Sequence, residues 1–162
     1  MNNAEKAVRE LIRRGWHIAA AESCTGGLLA AALVGVPDAS RVLDVSFVTY
    51  ANAAKIRYLG VREETIAAVG VVSEEVAARM AEGVRRESGA QVGLATSGIA
   101  GPTGGTAEKP VGTVCFGIAL PDKTIAFTRH FGDIGRQAVR QAATEEALRT
   151  LCRALGLPEE TG

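Results

Sequence analysis

The chain has 162 residues, of which 47% are hydrophobic and 22% charged, which is typical of one soluble globular domain. Its 18 basic residues equal its 18 acidic ones, which argues against nucleic acid or a membrane surface as a partner. Three cysteines without a CxxC pair suggest neither a disulfide framework nor a zinc site. The charged N-terminal segment does not fit a signal peptide, and no apolar run reaches the ~20 residues of a membrane helix. We therefore expect a cytoplasmic protein with a single domain, residues 1–162.

The predicted elements begin with a helix that Asn3 caps and Gly15 ends. WHIAAAE (16–22) predicts a short buried strand that runs into SCTGG, and LLAAALVGV resumes a helix. The β-branched segment DVSFVTYA (44–51) predicts a second strand, followed by two short helical segments. Ser73 is a good cap for the amphipathic helix after them.

The second half of the chain continues with QVGLATS (91–97), which predicts a buried third strand. VGTVCFGIAL and TIAFTRHF, joined by PDK, predict a β-hairpin, and a final helix covers about 135–155. We expect residues 155–162 to form a frayed tail. This order of elements predicts an α/β fold, a three-layer α/β/α sandwich with a mixed β-sheet whose strand order stays open.

Three segments follow strand ends, where open α/β sheets place their binding sites. The first, AESCTGG, ends in Gly26 and Gly27, which permit a tight turn. The free N–H groups of the next helix would point at an anion or an oxyanion above Ser23. A Ser23 or Thr25 that only caps the helix is an equally good interpretation. Cys24 is an alternative nucleophile, but adjacent side chains at a strand end point in opposite directions, so we favour a small buried cysteine.

The second segment, FVTYANAAK, contains Tyr50, Asn52 and Lys55. Asn52 is a candidate helix cap, and Lys55, three residues later, lies on the first helical turn. From there its side chain could reach back across the strand end. A lysine on a short helix is more often a solvated surface group, and a tyrosine at a strand end is by default part of the core edge.

The third segment, SGIAGPTGGTAEKPVGT (97–113), is a glycine-rich loop that opens from a buried strand. It matches neither the P-loop nor the dinucleotide-binding pattern. We predict that its backbone amides wrap a small ligand; a plain surface loop is the weaker interpretation. The candidate binding residues in it are Ser97, Gly98, Gly101, Gly104 and Gly105.

The small number of histidines limits the catalytic mechanisms that the chain could use. The chain has two histidines, His17 and His130, and both fall inside predicted strands, away from these loops. A Ser-His-Asp triad or a histidine-rich metal site is therefore poorly supported. We predict no metal and no cofactor. If Ser23 is the nucleophile, Lys55 is the more plausible base, with Tyr50 as a relay or beside it. A basic lysine needs a pKa lowered by burial or by a nearby cation, and Arg136 could supply that charge or bind a phosphate.

AESCTGG, FVTYANAAK, SGIAGPTGG with EKPVGTV, and GDIGRQAVRQ together resemble the CinA C-terminal-domain family, over roughly residues 5–155. The family includes stand-alone bacterial nicotinamide-nucleotide amidohydrolases. The resemblance implies hydrolysis of nicotinamide mononucleotide to nicotinic acid mononucleotide and ammonia, in pyridine-nucleotide salvage, by a homo-oligomer. It places the family's serine, lysine and tyrosine at Ser23, Lys55 and Tyr50, and its arginine at Arg136.

In the implied mechanism, Lys55 deprotonates Ser23, which attacks the carboxamide carbon, and water then cleaves the acyl-enzyme. Backbone N–H groups around Thr25–Gly27 would stabilise the oxyanion. The loop after Ser97 would hold the ribose, and either the helix N-terminus or Arg136 would bind the phosphate.

Two other functions stay open at this point. One is a nucleotide-binding or regulatory module without catalysis. The other is a protein-interaction module linked to DNA uptake or repair, for which the lack of a basic stripe argues against direct contact with DNA. Longer relatives carry an additional N-terminal domain, and without it we expect the amidohydrolase activity alone.

Overall fold

The computed structural model describes residues 1–159. The described helices are α1 (Asn3–Arg14), α2 (Leu28–Val34), α3 (Asn52–Leu59), α4 (Glu63–Val69), α5 (Glu74–Ser88) and α6 (Arg136–Ala154), with a 3₁₀ turn at Ala39–Arg41. The strands are β1 (Ile18–Glu22), β2 (Leu43–Val48), β3 (Val92–Gly98), β4 (Thr113–Ala119) and β5 (Thr124–His130). All the predicted helices and strands are present, and their bounds differ from the predictions by a few residues at most.

The strands form one mixed sheet in the order β2-β1-β3-β4-β5. β1 is parallel to both of its neighbours, β2 and β3, whereas β4 and β5 pair in antiparallel fashion. The register places Glu22, the last residue of β1, opposite Val48 on β2 and Thr96 on β3. The carboxyl ends of three strands therefore meet at one edge of the sheet, which is where a ligand site is expected.

Helices cover both faces of the sheet, which confirms the three-layer prediction. On one face, α1, α2 and α6 pack against large side chains of the strands, among them Ile18, Leu94 and Phe116. On the other face, α3 and α5 pack against small ones such as Ala19 and Ala95. Since side chains alternate between the two faces of a strand, neighbouring residues belong to different cores.

Two predicted helix caps are displaced by one residue. Asn2, not Asn3, caps α1, and it forms a reciprocal capping box with Glu5. Ala51 precedes α3, so Asn52 is its first helical residue and provides no side-chain cap. Ser73 caps α5 as predicted, because its hydroxyl accepts from the N–H of Val76.

The segment after α6 packs against the domain up to the last described residue. Leu155 is buried, Leu157 packs against the same core, and Glu159 accepts hydrogen bonds from Arg149 and Arg153. The predicted frayed tail therefore does not describe residues 155–159, and residues 160–162 lie outside the described part of the chain. Within residues 1–159, no helix is long and apolar enough to cross a bilayer.

Candidate active site

A cavity of about 260 Å³ opens where β1 and β3 end. It is lined by residues from all three of the predicted segments, together with the segment before α5 and the start of α6. The lining residues are Ser23, Cys24, Tyr50, Asn52, Lys55, Val71, Val72, Ser97, Gly98, Ile99, Ala100, Gly101, Thr103, Gly104 and Arg136. Stretches far apart in the sequence thus form one site.

Ser23 and Lys55 form a buried pair at the base of the cavity. Lys55 Nζ lies 3.2 Å from Ser23 Oγ, and the two residues are 1% and 8% exposed. The ammonium also donates to the carbonyl oxygens of Thr49, at 2.7 Å, and of Tyr50, at 3.5 Å. All three oxygens are neutral, so no carboxylate in these contacts favours the charged form of the lysine.

Burial lowers the pKa of Lys55 below its ordinary value of 10.5. The cause is loss of hydration, which penalises the ammonium more than the neutral amine. Lys55 lies in the first turn of α3, shortly after the end of β2, and its amine reaches back to the carbonyl oxygen of Thr49, the residue that follows β2. Of the two causes expected from the sequence, burial rather than a neighbouring cation accounts for the shift. A lysine in this state can accept a proton from a hydroxyl at hydrogen-bond distance.

Tyr50 and Arg136 form a second pair at the mouth of the cavity. Arg136 is the first residue of α6, rather than part of the loop before it, and it is exposed. Its Nη2 donates to the Tyr50 hydroxyl at 2.8 Å and its Nη1 to the carbonyl oxygen of Gly101 at 2.8 Å. The Tyr50 phenol is thus hydrogen-bonded to Arg136, and Lys55 meets only the backbone carbonyl of Tyr50. The predicted relay through the phenol has no hydrogen bond to Ser23 or Lys55 to support it.

The N-terminus of α2 does not face the cavity with free N–H groups, which corrects the predicted anion site. Glu22 is completely buried, and its carboxylate accepts from the backbone N–H groups of Gly27, Leu29 and Ala30 at 2.9–3.1 Å. Gly27 occupies the cap position and no hydroxyl caps the helix, so the interpretation of Ser23 or Thr25 as a cap is also wrong.

Four predicted binding residues lie away from the cavity lining: Thr25, Gly26, Gly27 and Gly105. Thr25 is buried, and its hydroxyl donates to Glu22 at 2.6 Å. The amide of Gly26 donates to the carbonyl of Ser23, and that of Gly27 to Glu22. Of the amides predicted to stabilise an oxyanion, those two are therefore already used.

Sequence reasoning did not identify Arg140, one helical turn after Arg136. Its Nε donates to the carbonyl oxygen of Cys24 at 2.9 Å and its Nη2 to that of Thr25 at 3.2 Å. Arg140 follows Arg136 by four residues on a predicted helix, so both arginines lie on the same side of that helix. This spacing could have identified Arg140 as a candidate from the sequence. Glu22 also carried a signal, because an acidic residue in a run predicted to be buried needs hydrogen-bond donors close to it.

Cys24 is among the residues around the cavity, but its side chain belongs to the core on the face that α1, α2 and α6 cover. The thiol is a poor nucleophile. Burial raises its pKa to about 11, because the thiolate loses hydration in this apolar position. The interpretation of Cys24 as a small buried residue fits its 6% exposure.

The glycine-rich loop borders the cavity with its backbone. Ser97 is buried and donates to the carbonyl oxygen of Val71 at 2.9 Å, which ties the end of β3 to the segment before α5. Gly101 has φ +83°, and a Cβ there would lie 2.5 Å from Val111, so the tight loop needs glycine. Gly98 and Gly104 also line the cavity. The predicted loop residues thus reach the site, with the exception of Gly105.

The two histidines lie outside the cavity lining. His17 pairs with Asp44 beside β1, and His130 meets the Thr113 hydroxyl at the end of β5. Among residues 1–159, no group of three or more His, Cys, Asp or Glu side chains could hold a metal ion. The polar groups that line the cavity are thus hydroxyls, a thiol, an amide, an amine and a guanidinium, with no imidazole or carboxylate among the lining residues.

The fold and the cavity define a mixed-sheet α/β protein with a buried serine–lysine pair at its strand ends. The sequence model of the CinA C-terminal domain matches residues 1–155, and the chain belongs to this family.

Relatives and solved structures with the same fold are similar to nearly the whole chain. A CinA-like protein of Anaeromyxobacter sp. (strain K) is 53% identical over 152 residues, which cover 93% of this chain but 37% of that protein. A CinA-like protein of Syntrophobacter fumaroxidans is 48% identical over 93% of this chain and 36% of its own. The chain thus spans little more than a third of the length of these curated relatives.

Among solved structures, a CinA superfamily protein from Klebsiella pneumoniae superposes with a TM-score of 0.90 at 37% identity, covering 95% of this chain and 96% of its own. A competence/damage inducible protein from Agrobacterium tumefaciens gives 0.88 at 41% identity, with 96% and 97% covered. Both match the domain described above from end to end.

Proposed function

We propose that this domain hydrolyses the carboxamide of nicotinamide mononucleotide to a carboxylate and ammonia, with Ser23 as nucleophile and Lys55 as base. The observation that carries the proposal is the buried contact of 3.2 Å between Lys55 Nζ and Ser23 Oγ, with only neutral oxygens around the amine. An amide is an electrophile that a serine alkoxide can attack, and the family resemblance supports the nicotinamide nucleotide as its source.

In the first half of the reaction, Lys55 accepts the proton of Ser23 as Oγ bonds to the carboxamide carbon. The C–N bond then breaks, and the protonated Lys55 returns the proton to nitrogen, which leaves as ammonia. The oxyanion of the intermediate needs N–H donors. Because Gly26 and Gly27 have other partners, we assign this role to the amides of Cys24 and Thr25, the next backbone donors after Ser23.

In the second half, a water molecule attacks the acyl-enzyme. Lys55 accepts a proton from the water and returns it to Ser23 as the ester bond breaks, so the enzyme regains its starting state. The product carboxylate leaves with the ring and the ribose. Both proton transfers use the same amine, which suits a lysine whose pKa is lowered towards the working pH.

Arg136 is the proposed phosphate ligand. The carboxylate of Glu22 already occupies the N-terminus of α2, which leaves the guanidinium at the cavity mouth as the accessible cation. Tyr50 and Gly101 orient it through its two terminal nitrogens. A guanidinium keeps its charge at any physiological pH and binds phosphate by paired hydrogen bonds. This arrangement points the carboxamide towards Ser23 at one end and the phosphate towards solvent at the other.

The test is ammonia release from nicotinamide mononucleotide by the unmodified protein and its Ser23→Ala variant. We expect release by the former and essentially none by the variant, with thermal unfolding unchanged. Cys24→Ala is the matched control, since it alters the adjacent cavity residue and should retain activity. Release by Ser23→Ala would refute the serine mechanism. Saturable binding of the nucleotide by the unmodified protein without ammonia release would instead favour a binding module.

A further inference from the structure

The turn that contains Ser23, residues 23–27, has few internal hydrogen bonds to fix its conformation. Gly26 and Gly27 have φ values of +55° and +104°, in a region that other residues rarely adopt. Inside the turn, the amide of Gly26 donates to Ser23 and that of Leu28 to Thr25. A short turn with two conformationally free glycines has several accessible arrangements, so its single conformation must be fixed by groups outside it.

Glu22 binds the donors of this turn. Its carboxylate accepts hydrogen bonds from the Thr25 hydroxyl at 2.6 Å and the Gly27 amide at 3.1 Å, besides those from the first turn of α2. The Ser46 hydroxyl adds a contact at 3.3 Å from β2. A buried carboxylate is costly unless its oxygens are hydrogen-bonded, and these donors meet that need. The same bonds tie the turn to the two strands beside it.

Arg140 binds the acceptors of the same turn. Its guanidinium donates to the carbonyl oxygens of Cys24 and Thr25, and its third nitrogen is held by Gln137 at 2.8 Å. A Cβ at Gly26 would lie 3.2 Å from Arg140 Nη2, so the guanidinium rests directly against the turn. The donors of the turn are thus bound by Glu22 on β1, and its acceptors by Arg140 on α6.

We propose that Glu22 and Arg140 are positioning residues that fix the turn Ser23–Gly27 between them and so keep Ser23 Oγ at hydrogen-bond distance from Lys55. The proposal rests on the proposed role of Ser23 as nucleophile. Neither residue lines the cavity, so each acts on the reaction through the turn and not on the substrate. Displacement of a reacting group by about 1 Å can lower a rate about 100-fold, which makes such support significant.

The first experiment uses Arg140→Met, which keeps most of the side chain's length and removes its donors. We expect kcat for ammonia release to fall about ten- to 100-fold with little change in KM, because the cavity lining is intact. Amide hydrogen exchange in residues 23–27 should accelerate about tenfold, while exchange in β3 and the thermal midpoint stay close to those of the unmodified protein. Arg149→Met, on the same helix but bonded to Glu146 and Glu159, is the matched control and should leave kcat and exchange in residues 23–27 unchanged.

Glu22→Gln tests the side chain that binds the hydrogen-bond donors of the turn. It removes the charge and replaces one acceptor by an NH₂ group, so we expect a larger rise in exchange across 23–30 and a lower thermal midpoint. Arg140→Lys should recover part of the rate lost in Arg140→Met. Unchanged exchange at 23–27 in Arg140→Met, or faster exchange with an unaltered kcat, would overturn the proposal. Because exchange needs no substrate, failure of the ammonia assay in the unmodified protein would refute the proposed function separately.

Discussion

The cavity contains two pairs of side chains, and each pair consists of a hydroxyl and a basic group. One pair is buried, and the other is exposed. At the base, Ser23 and Lys55 are 3.2 Å apart and nearly inaccessible to solvent. At the mouth, Tyr50 and Arg136 are 2.8 Å apart, with Tyr50 61% exposed. Burial lowers the pKa of the first cation, as the proposed role of a base requires, whereas the exposed guanidinium keeps its charge, as the proposed binding of phosphate requires. The surroundings of the two pairs, and not their residue types alone, thus distinguish the two proposed roles.

The largest effect is expected at the base of the cavity. Lys55→Met keeps the length of the side chain and removes the amine, so kcat for ammonia release should fall about 10²- to 10⁴-fold while KM changes little. Steady-state kinetics with nicotinamide mononucleotide measures both constants. Lys123→Met, in the β4–β5 turn, is a lysine control that should behave like the unmodified protein. A normal kcat in Lys55→Met would show that another group is the base.

At the mouth, the expected effect lies in binding. Arg136→Gln should raise KM for nicotinamide mononucleotide about tenfold or more, since a charge-assisted contact with phosphate is lost, and leave kcat nearly unchanged. Tyr50→Phe keeps the guanidinium and removes one of its orienting partners, so the rise in KM should be smaller. The nucleoside without phosphate is the control substrate, and Arg136→Gln should not alter its KM. An equal loss with both substrates would place Arg136 in a role other than phosphate binding.

A third, smaller effect concerns stability and pH. Lys55 has a folded pKa below 10.5, so between that pKa and 10.5 the unfolded chain binds more protons than the folded one. The unmodified protein should therefore gain stability relative to Lys55→Met as the pH rises through this window. Below the folded pKa, and above 10.5, the difference should be constant. Urea unfolding at a series of alkaline pH values measures it, and a parallel pH dependence of the two proteins would argue against a buried charge at Lys55.

The regular elements were predictable from local patterns, but the strand order was not. The Ser73 cap and the buried strand over 91–97 each carry their signal within a few residues. Which strands pair with β1 depends on how distant segments pack, and a single sequence does not show this packing directly. The caps near Asn3 and Asn52 shifted by one residue because either of two adjacent positions can begin a helix.

Most lining residues with functional groups were predictable, but their hydrogen-bond partners were not, and four predicted binding residues lie away from the cavity lining. Ser23, Lys55 and Arg136 were identified from motifs, and the structure brings all three to one cavity. The acidic residue Glu22 in a buried run was a signal, but its partners could not be predicted, because its hydrogen bonds to α2 depend on the exact path of the turn between them. Tyr50 was expected near the amine, yet the direction of its phenol is set by Arg136, which lies 86 positions later in the sequence.

The hydrogen bond between Arg140 and Cys24 joins residues 116 positions apart. Under the proposed role of Arg140, the serine turn reaches its final arrangement only after the last helix has docked on the sheet, although β1 and α3 are made much earlier during synthesis. Contacts of this sequence separation form slowly, because a long loop must close first. A nascent chain therefore contains Ser23 and Lys55 well before it contains the formed turn, and under the proposed function ammonia release would begin only once α6 has docked.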